Sequence, residues 1–205
     1  MALPAELDAV TIDAHGTLLE LRDPVGRLAR LLPGHEPGAI ERAFLAEAAH
    51  YVVHSYRGRD EGSLRELYGE CVSVFNETLG SRLGAADYVA ALDSSYAAIP
   101  GALEAVRRLR GLGLELAVVS NWDHRLPEHL ERIGLASYFA VVVTSAEAGA
   151  AKPDARPFRL ALEALRVSPE RALHVGDGPA DEAGARAAGL RFLAAPLSTL
   201  AERLA

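Results

Sequence analysis

The stretch Ala9-Val10-Thr11-Ile12-Asp13-Ala14-His15-Gly16-Thr17 sets the reading of the whole chain. Its first four residues form a short, β-branched apolar run, which fits a strand covered on both faces. The run stops at an aspartate, and Gly16 permits a tight backbone turn directly after it. Similar runs recur at residues 114–120, 139–145, 172–175 and 190–194, the second centred on Leu116-Ala117-Val118-Val119. Helical patterns stand between them. One starts at Gly101, one carries Leu126, Leu130 and Ile133 and ends at Gly134, one carries Phe158, Leu162 and Leu165, and a short one covers 183–188. Apolar strands alternating with helices predict an α/β fold, a Rossmann-like, doubly wound parallel sheet, because right-handed crossovers put helices on both faces.

Between the first and second strands the period is helical only. Asp23-Pro24 reads as N-cap and first-turn proline, followed by Val25, Leu28, Ala29 and Leu32, and Pro33-Gly34 ends that helix. Ile40, Phe44, Ala48, Tyr51 and Val52 make a second stripe. Ser63-Leu64-Arg65-Glu66 reads as a capping box opening a third helix that runs to Gly80, and Tyr88, Leu92 and Tyr96 suggest a fourth. The expectation is an α/β core at 1–20 and 98–205, interrupted after its first strand by a small four-helix bundle at 21–97 that contains no strand.

Composition narrows the partners. Half of the 205 residues are apolar and 24% are charged, a globular balance. Lys and Arg number 21 against 28 Asp and Glu, a net charge of −7. Such a surface repels phosphate backbones and anionic lipid, so neither nucleic acid nor a membrane is expected as a partner. The single cysteine, Cys71, excludes an internal disulfide framework and a cysteine zinc cluster, and its place on an apolar stripe reads as core. The opening MALPAELDAV lacks a basic stretch before an apolar one, so no signal peptide is read and a cytoplasmic location is expected.

Ligands of open parallel sheets sit at the carboxyl ends of the strands. After the first strand come Asp13 and His15, after the second Ser120 and Asn121, after the third Lys152-Pro153-Asp154, and after the fourth Gly176-Asp177 and then Asp181. The topology gathers these groups on one edge. Three carboxylates about 5 Å apart repel by roughly 3 kcal/mol per pair at an effective dielectric near 20. A hard divalent cation relieves that repulsion, and Mg²⁺ also bridges to phosphate. The balance of charges points to phosphoryl chemistry on a small phosphorylated molecule.

Asp13-x-His15-Gly16-Thr17-Leu18, Ser120-Asn121, Lys152-Pro153-Asp154 and Gly176-Asp177 with Asp181, in that order, resemble the four motifs of the haloacid dehalogenase (HAD) hydrolase superfamily. Residues 144–154 and His174-Val175-Gly176-Asp177 are similar to its domain-containing-protein-3 type. The resemblance implies that the helical insert is a cap over the site and that Asp13 is the nucleophile. It further implies that Mg²⁺ is held by Asp13, the His15 carbonyl and Asp177, with Asp181 acting directly or through water. Ser120 and the Asn121 N–H would bind phosphoryl oxygens, and Lys152 would offset the charge.

His15 departs from the pattern, since phosphatases of this superfamily place a second aspartate there as acid and base. An imidazole can donate a proton but is largely neutral at pH 7. Two alternatives stay open: a binding or regulatory protein with weak hydrolysis, and a metal-independent 2-haloacid dehalogenase, whose first motif also reads Asp-Ala-aromatic-Gly-Thr. Some residues also have plainer readings. Asp177 between two glycines is a turn residue when taken alone, and Asp181 then decorates a helix's first turn. Ser120 could cap the following helix. His174, inside a strand, is expected to be buried and hydrogen-bonded. Trp122 is expected to pack at the crevice mouth, and Asp123, His124 and Arg125 to face the insert.

Overall fold

A computed structural model describes residues 7–204. Residues 1–6, which include part of the stretch read as free of a signal peptide, lie outside the described residues, as does Ala205. The order is β1 (Ala9–Ile12), β2 (Leu19–Leu21), α1 (Pro24–Leu31), α2 (Pro37–His54), α3 (Glu61–Leu79), α4 (Ala85–Asp93), β3 (Tyr96–Ala98), α5 (Ala102–Gly111) and β4 (Glu115–Ser120). There follow α6 (Leu126–Arg132), β5 (Val141–Thr144), α7 (Ser145–Ala148), α8 (Arg156–Leu165), β6 (Ala172–Gly176), α9 (Pro179–Ala187), β7 (Arg191–Ala194) and α10 (Leu197–Arg203).

Five strands form one parallel sheet in the order β5-β4-β1-β6-β7. The four residues of β1 are all buried, as a central strand covered on both faces requires. Alternation splits the apolar residues of the sheet between two layers. Val10, Ile12, Leu116, Val118 and Val175 pack with Val106 and Leu109 of α5 and Leu200 of α10. Ala9, Ala117, Val119 and Val143 pack with Phe158 and Leu162 of α8 and Ala185 of α9. Register fixes the site: Ile12 stands between Val118 of β4 and Val175 of β6, so the segments that follow these three strands emerge side by side.

The helices between β2 and β3 have apolar clusters of their own, one around Ile40, Phe75 and Tyr88 and another around Leu64, Leu67 and Cys71. Asp23 caps α1 by accepting a hydrogen bond from Gly26 N at 3.1 Å. Gly80 ends α3 with φ 73°, a left-handed turn that glycine adopts without strain.

Four sequence expectations need correction. The insert does contain strand: Tyr96 lies in β3, not on a fourth helix, and β3 pairs antiparallel with β2, Leu19 opposite Ala98 and Leu21 opposite Tyr96. The chain therefore leaves for the helices and returns from them along one ribbon, whose three-residue strands are too short to display alternation. The cap of α3 is Asp60, not Ser63. Ser63 occupies the third helical position, and its N–H donates to Asp60 Oδ1 at 2.8 Å. β5 stops at Thr144, because the Thr144 hydroxyl accepts from Glu147 N at 3.1 Å and opens α7, placing Ser145 in a helix. The helix before β7, α9, starts at Pro179 rather than 183, with proline in its first turn and Asp181 in its N-terminal turn. Among the described residues no helix is long and apolar enough to cross a membrane.

Candidate active site

Asp13 is the first residue beyond β1, and its N–H donates to Val175 O of β6 at 2.9 Å, so the sheet holds its backbone in place. Lys152, from the segment after β5, reaches back under it. The ammonium donates to Asp13 Oδ1 at 2.6 Å, to Asp181 Oδ1 at 2.6 Å and to Val119 O at 3.0 Å. Those three acceptors use all three of its protons. All three side chains are buried, with Asp13 and Lys152 each 6% exposed and Asp181 3%. Burial works to lower the lysine's pKa, but the two carboxylates outweigh it and hold the pKa above its ordinary value. Burial likewise works to raise Asp181. The hydrogen bond from His174 and the charge of Lys152 prevail, and its pKa is lowered.

Two supports for this arrangement were not read from the sequence. The Asn121 side chain clamps the backbone of Lys152, accepting from Lys152 N at 2.6 Å and donating to Lys152 O at 3.0 Å. His174, fully buried as expected, also serves the site. Its Nε2 lies 3.0 Å from Asp181 Oδ1, and its Nδ1 lies 2.9 Å from Thr11 Oγ1. Burial lowers its pKa, so the ring is neutral at pH 7. Nε2–H then donates to Asp181 while Nδ1 accepts from the Thr11 hydroxyl.

Asp177, after β6, is exposed toward the same edge. Asp13, Asp177 and Asp181 each present a carboxylate oxygen, and these oxygens lie within 4.8 Å of one another. Burial, followed by the charges of Asp13 and Asp181, raises the pKa of Asp177. The part of that shift owed to Asp13 and Asp181 reflects anionic crowding, which a cation would relieve. An all-carboxylate donor set suits a hard divalent ion. Asp181 already accepts from Gly178 N through Oδ2 at 3.0 Å as well as from two donors through Oδ1, so most of its lone pairs are engaged. Gly16, at φ 78°, makes room for the cluster: a Cβ there would overlap the Asp177 carboxylate.

Ser120 and Asn121 line the same opening as Asp13, His15, Lys152, Asp177 and Asp181, so every sequence-read site residue meets there. His15 is exposed at this opening. Ser120 does not cap α6, which has Arg125 at its N-cap. Above the sheet edge the opening widens into a cavity of about 700 Å³ roofed by α2, α3 and α4. Trp122 is 4% exposed in its wall and packs against Tyr96 at 5.0 Å between ring centroids. Asp123 is fully buried and fastens the roof, accepting from the Tyr51 hydroxyl at 2.7 Å and the Tyr68 hydroxyl at 3.1 Å. His124 N donates to Gly58 O at 2.9 Å beside it. The 122–125 segment thus faces the insert as the sequence suggests. Its tyrosine partners, more than fifty positions away, had no local signal.

A family model described as haloacid dehalogenase-like hydrolase matches residues 7–189. The chain is 34% identical over 214 residues to the haloacid dehalogenase-like hydrolase domain-containing protein 3 of Bos taurus, covering 95% of this chain and 84% of that one. It is 30% identical to a phosphoglycolate phosphatase of Nitrosospira multiformis, over 96% of this chain and 86% of that one. In fold it is similar to a crystal structure of an L-2-haloacid dehalogenase, with TM-score 0.78, 19% identity and coverage of 98% and 99%.

Proposed function

The chain belongs to the haloacid dehalogenase-like hydrolase family, and on that premise we propose that it is a Mg²⁺-dependent phosphatase of small phosphorylated metabolites in the cytoplasm. The observation that carries the reading is the crowding of Asp13, Asp177 and Asp181 around a single edge, with one buried ammonium to offset three carboxylates. A phosphomonoester adds further negative charge, which a cation bound with it would offset. We further propose that residues 21–97 act as the cap and the remainder as the catalytic core.

Asp13 attacks phosphorus in line through Oδ2, the oxygen that Lys152 leaves free, and the bond from phosphorus to the leaving oxygen breaks as the aspartyl-phosphate forms. Lys152 keeps the other oxygen fixed and offsets the charge that develops. The Ser120 hydroxyl and the Asn121 backbone N–H orient phosphoryl oxygens. His15 protonates the departing oxygen and then takes a proton from the water that releases phosphate. Asp181, steadied by His174, holds Lys152 in place. When bound by Asp13, the His15 carbonyl and Asp177, with Asp181 directly or through water, Mg²⁺ supplies the positive charge that shields the nucleophile from the phosphate. The roof helices exclude bulk water from the reaction.

The test is turnover of p-nitrophenyl phosphate by the wild type and by Asp13→Asn, in Mg²⁺ and in EDTA. Turnover in Mg²⁺ is expected, with loss in EDTA and a fall of more than about a thousandfold in the variant. No turnover between pH 5 and 8, with wild type equal to variant, contradicts the reading. The first motif favours a second one, a metal-independent dehalogenase, because Asp13-Ala14-His15-Gly16-Thr17 also fits the Asp-Ala-aromatic-Gly-Thr of such enzymes. Chloride release from 2-chloropropionate in EDTA would establish it.

A further inference from the structure

The cavity above Asp13 has two chemically distinct halves. The floor is the polar sheet edge. The roof is largely apolar and aromatic, with Phe44, Ala48, Val52, Val89 and Leu92 lining the cavity along with Trp122. Leu45 and Val52 line the cavity and yet remain 58% and 42% exposed, large apolar surfaces that a ligand would cover.

Charge is distributed just as unevenly. Among the described residues that line the cavity, Lys152 and Arg125 are the only lysine or arginine. The protons of Lys152 are already engaged below the floor. Arg125 donates to the Tyr68 hydroxyl at 2.7 Å and stacks 5.5 Å from that ring. It also lies 3.4 Å from Asp93 and 3.9 Å from Asp123, so its single charge is met by two carboxylates. Glu20 and Glu47 add acidity to the wall, and Glu47 is 7% exposed, holding the Tyr88 hydroxyl at 2.8 Å. A second carboxylate or phosphate on a substrate would lose its water here to meet only the His15 imidazole and Arg125, whose Nε has no hydrogen-bond partner but whose charge Asp93 and Asp123 already offset, beside fixed acids of its own sign. A hydrocarbon group would lose nothing and cover apolar wall.

We infer that this site selects phosphomonoesters of uncharged, apolar alcohols, aliphatic or aromatic, and rejects substrates that carry a second anionic group. The inference deepens the phosphatase reading and rests on it for the position of the phosphate. A binding measurement separates the two. Calorimetric titration of the full chain in Mg²⁺ buffer would use methyl-, butyl- and hexylphosphonate, with phosphonoacetate as the second-anion probe. Affinity is expected to rise about threefold per added methylene, and phosphonoacetate to bind more weakly than butylphosphonate. A flat series, tighter binding of phosphonoacetate, or no binding of any phosphonate overturns the inference. Val52→Lys, at a partly exposed position that tolerates a lysine, is expected to narrow the butylphosphonate preference about tenfold, and an unchanged preference counts against the charge argument. Hexyl phosphate and phosphoglycolate, two alkyl esters, are then compared as substrates. Equal hydrolysis of both leaves a phosphatase without this selectivity. The binding preference without hydrolysis leaves the selectivity and removes the phosphatase.

Discussion

At the scale of single residues, the site depends on one ammonium shared by two buried carboxylates. Removing it leaves the buried Asp13 carboxylate without its ammonium and Asp181 with only its hydrogen bonds from His174 and Gly178 N. Lys152→Met is therefore expected to destabilise the fold by about 3–5 kcal/mol, measured by urea unfolding, and to abolish turnover. His129 gives the fold a pH dependence. It is 2% exposed on α6, and burial, with the nearby Arg132 charge, pushes its pKa down to about 4. In the unfolded chain its pKa returns to about 6.5, so the unfolded state binds the extra proton between those values. The His129 contribution is complete above about pH 6.5 and is lost as the pH falls toward about 4. Melting temperatures across that range should fall, and His129→Gln should flatten the slope; an equal slope in the variant contradicts the assignment. Asp13, Lys152, Asp177 and Asp181 were legible in the sequence because each follows a strand. The amide clamp of Asn121 and the link from His174 to Asp181 were not, because a hydrogen bond between different segments leaves no periodic trace.

Elements convert those residues into a site by where they stop. β1 ends at Ile12, and the chain turns through Gly16 at a φ that other residues reach only with strain. Gly16→Ala is expected to displace the Asp177 carboxylate that a Cβ would overlap. The expected result is weaker Mg²⁺ activation, seen as a shift of the Mg²⁺ titration midpoint of at least about tenfold, with the fold retained by circular dichroism. An unshifted midpoint would mean that Asp177 takes no part in binding the ion. The strands and the core helices were readable because apolar runs and three-and-four spacing are local signals. Boundaries were less so. Asp60 outcompetes Ser63 as a cap because the pair bond each other reciprocally, and sequence alone does not say which of the two stands outside the helix. The β2–β3 ribbon was hidden for a different reason: its short strands are separated in sequence by four helices.

For the molecule as a whole, a parallel sheet carries the polar edge and helices roof the cavity above it, with buried Asp123 fastening one to the other through Tyr51 and Tyr68. The sheet, its parallel sense and the gathering of polar residues on one edge followed from the order of strands and helices. The cavity did not, since its wall takes one or two residues from each of several elements. With a net charge of −7, the proposed cation is what would draw an anionic substrate to this edge. The account stands on covalent capture of a phosphoryl group by Asp13. Acid-quenched turnover followed by mass spectrometry of peptides tests this directly. The expected result is a phosphoryl group on the peptide that carries Asp13, absent in EDTA and in Asp13→Asn. Substrate consumption that leaves this peptide unmodified, or that labels a different one, would contradict the account.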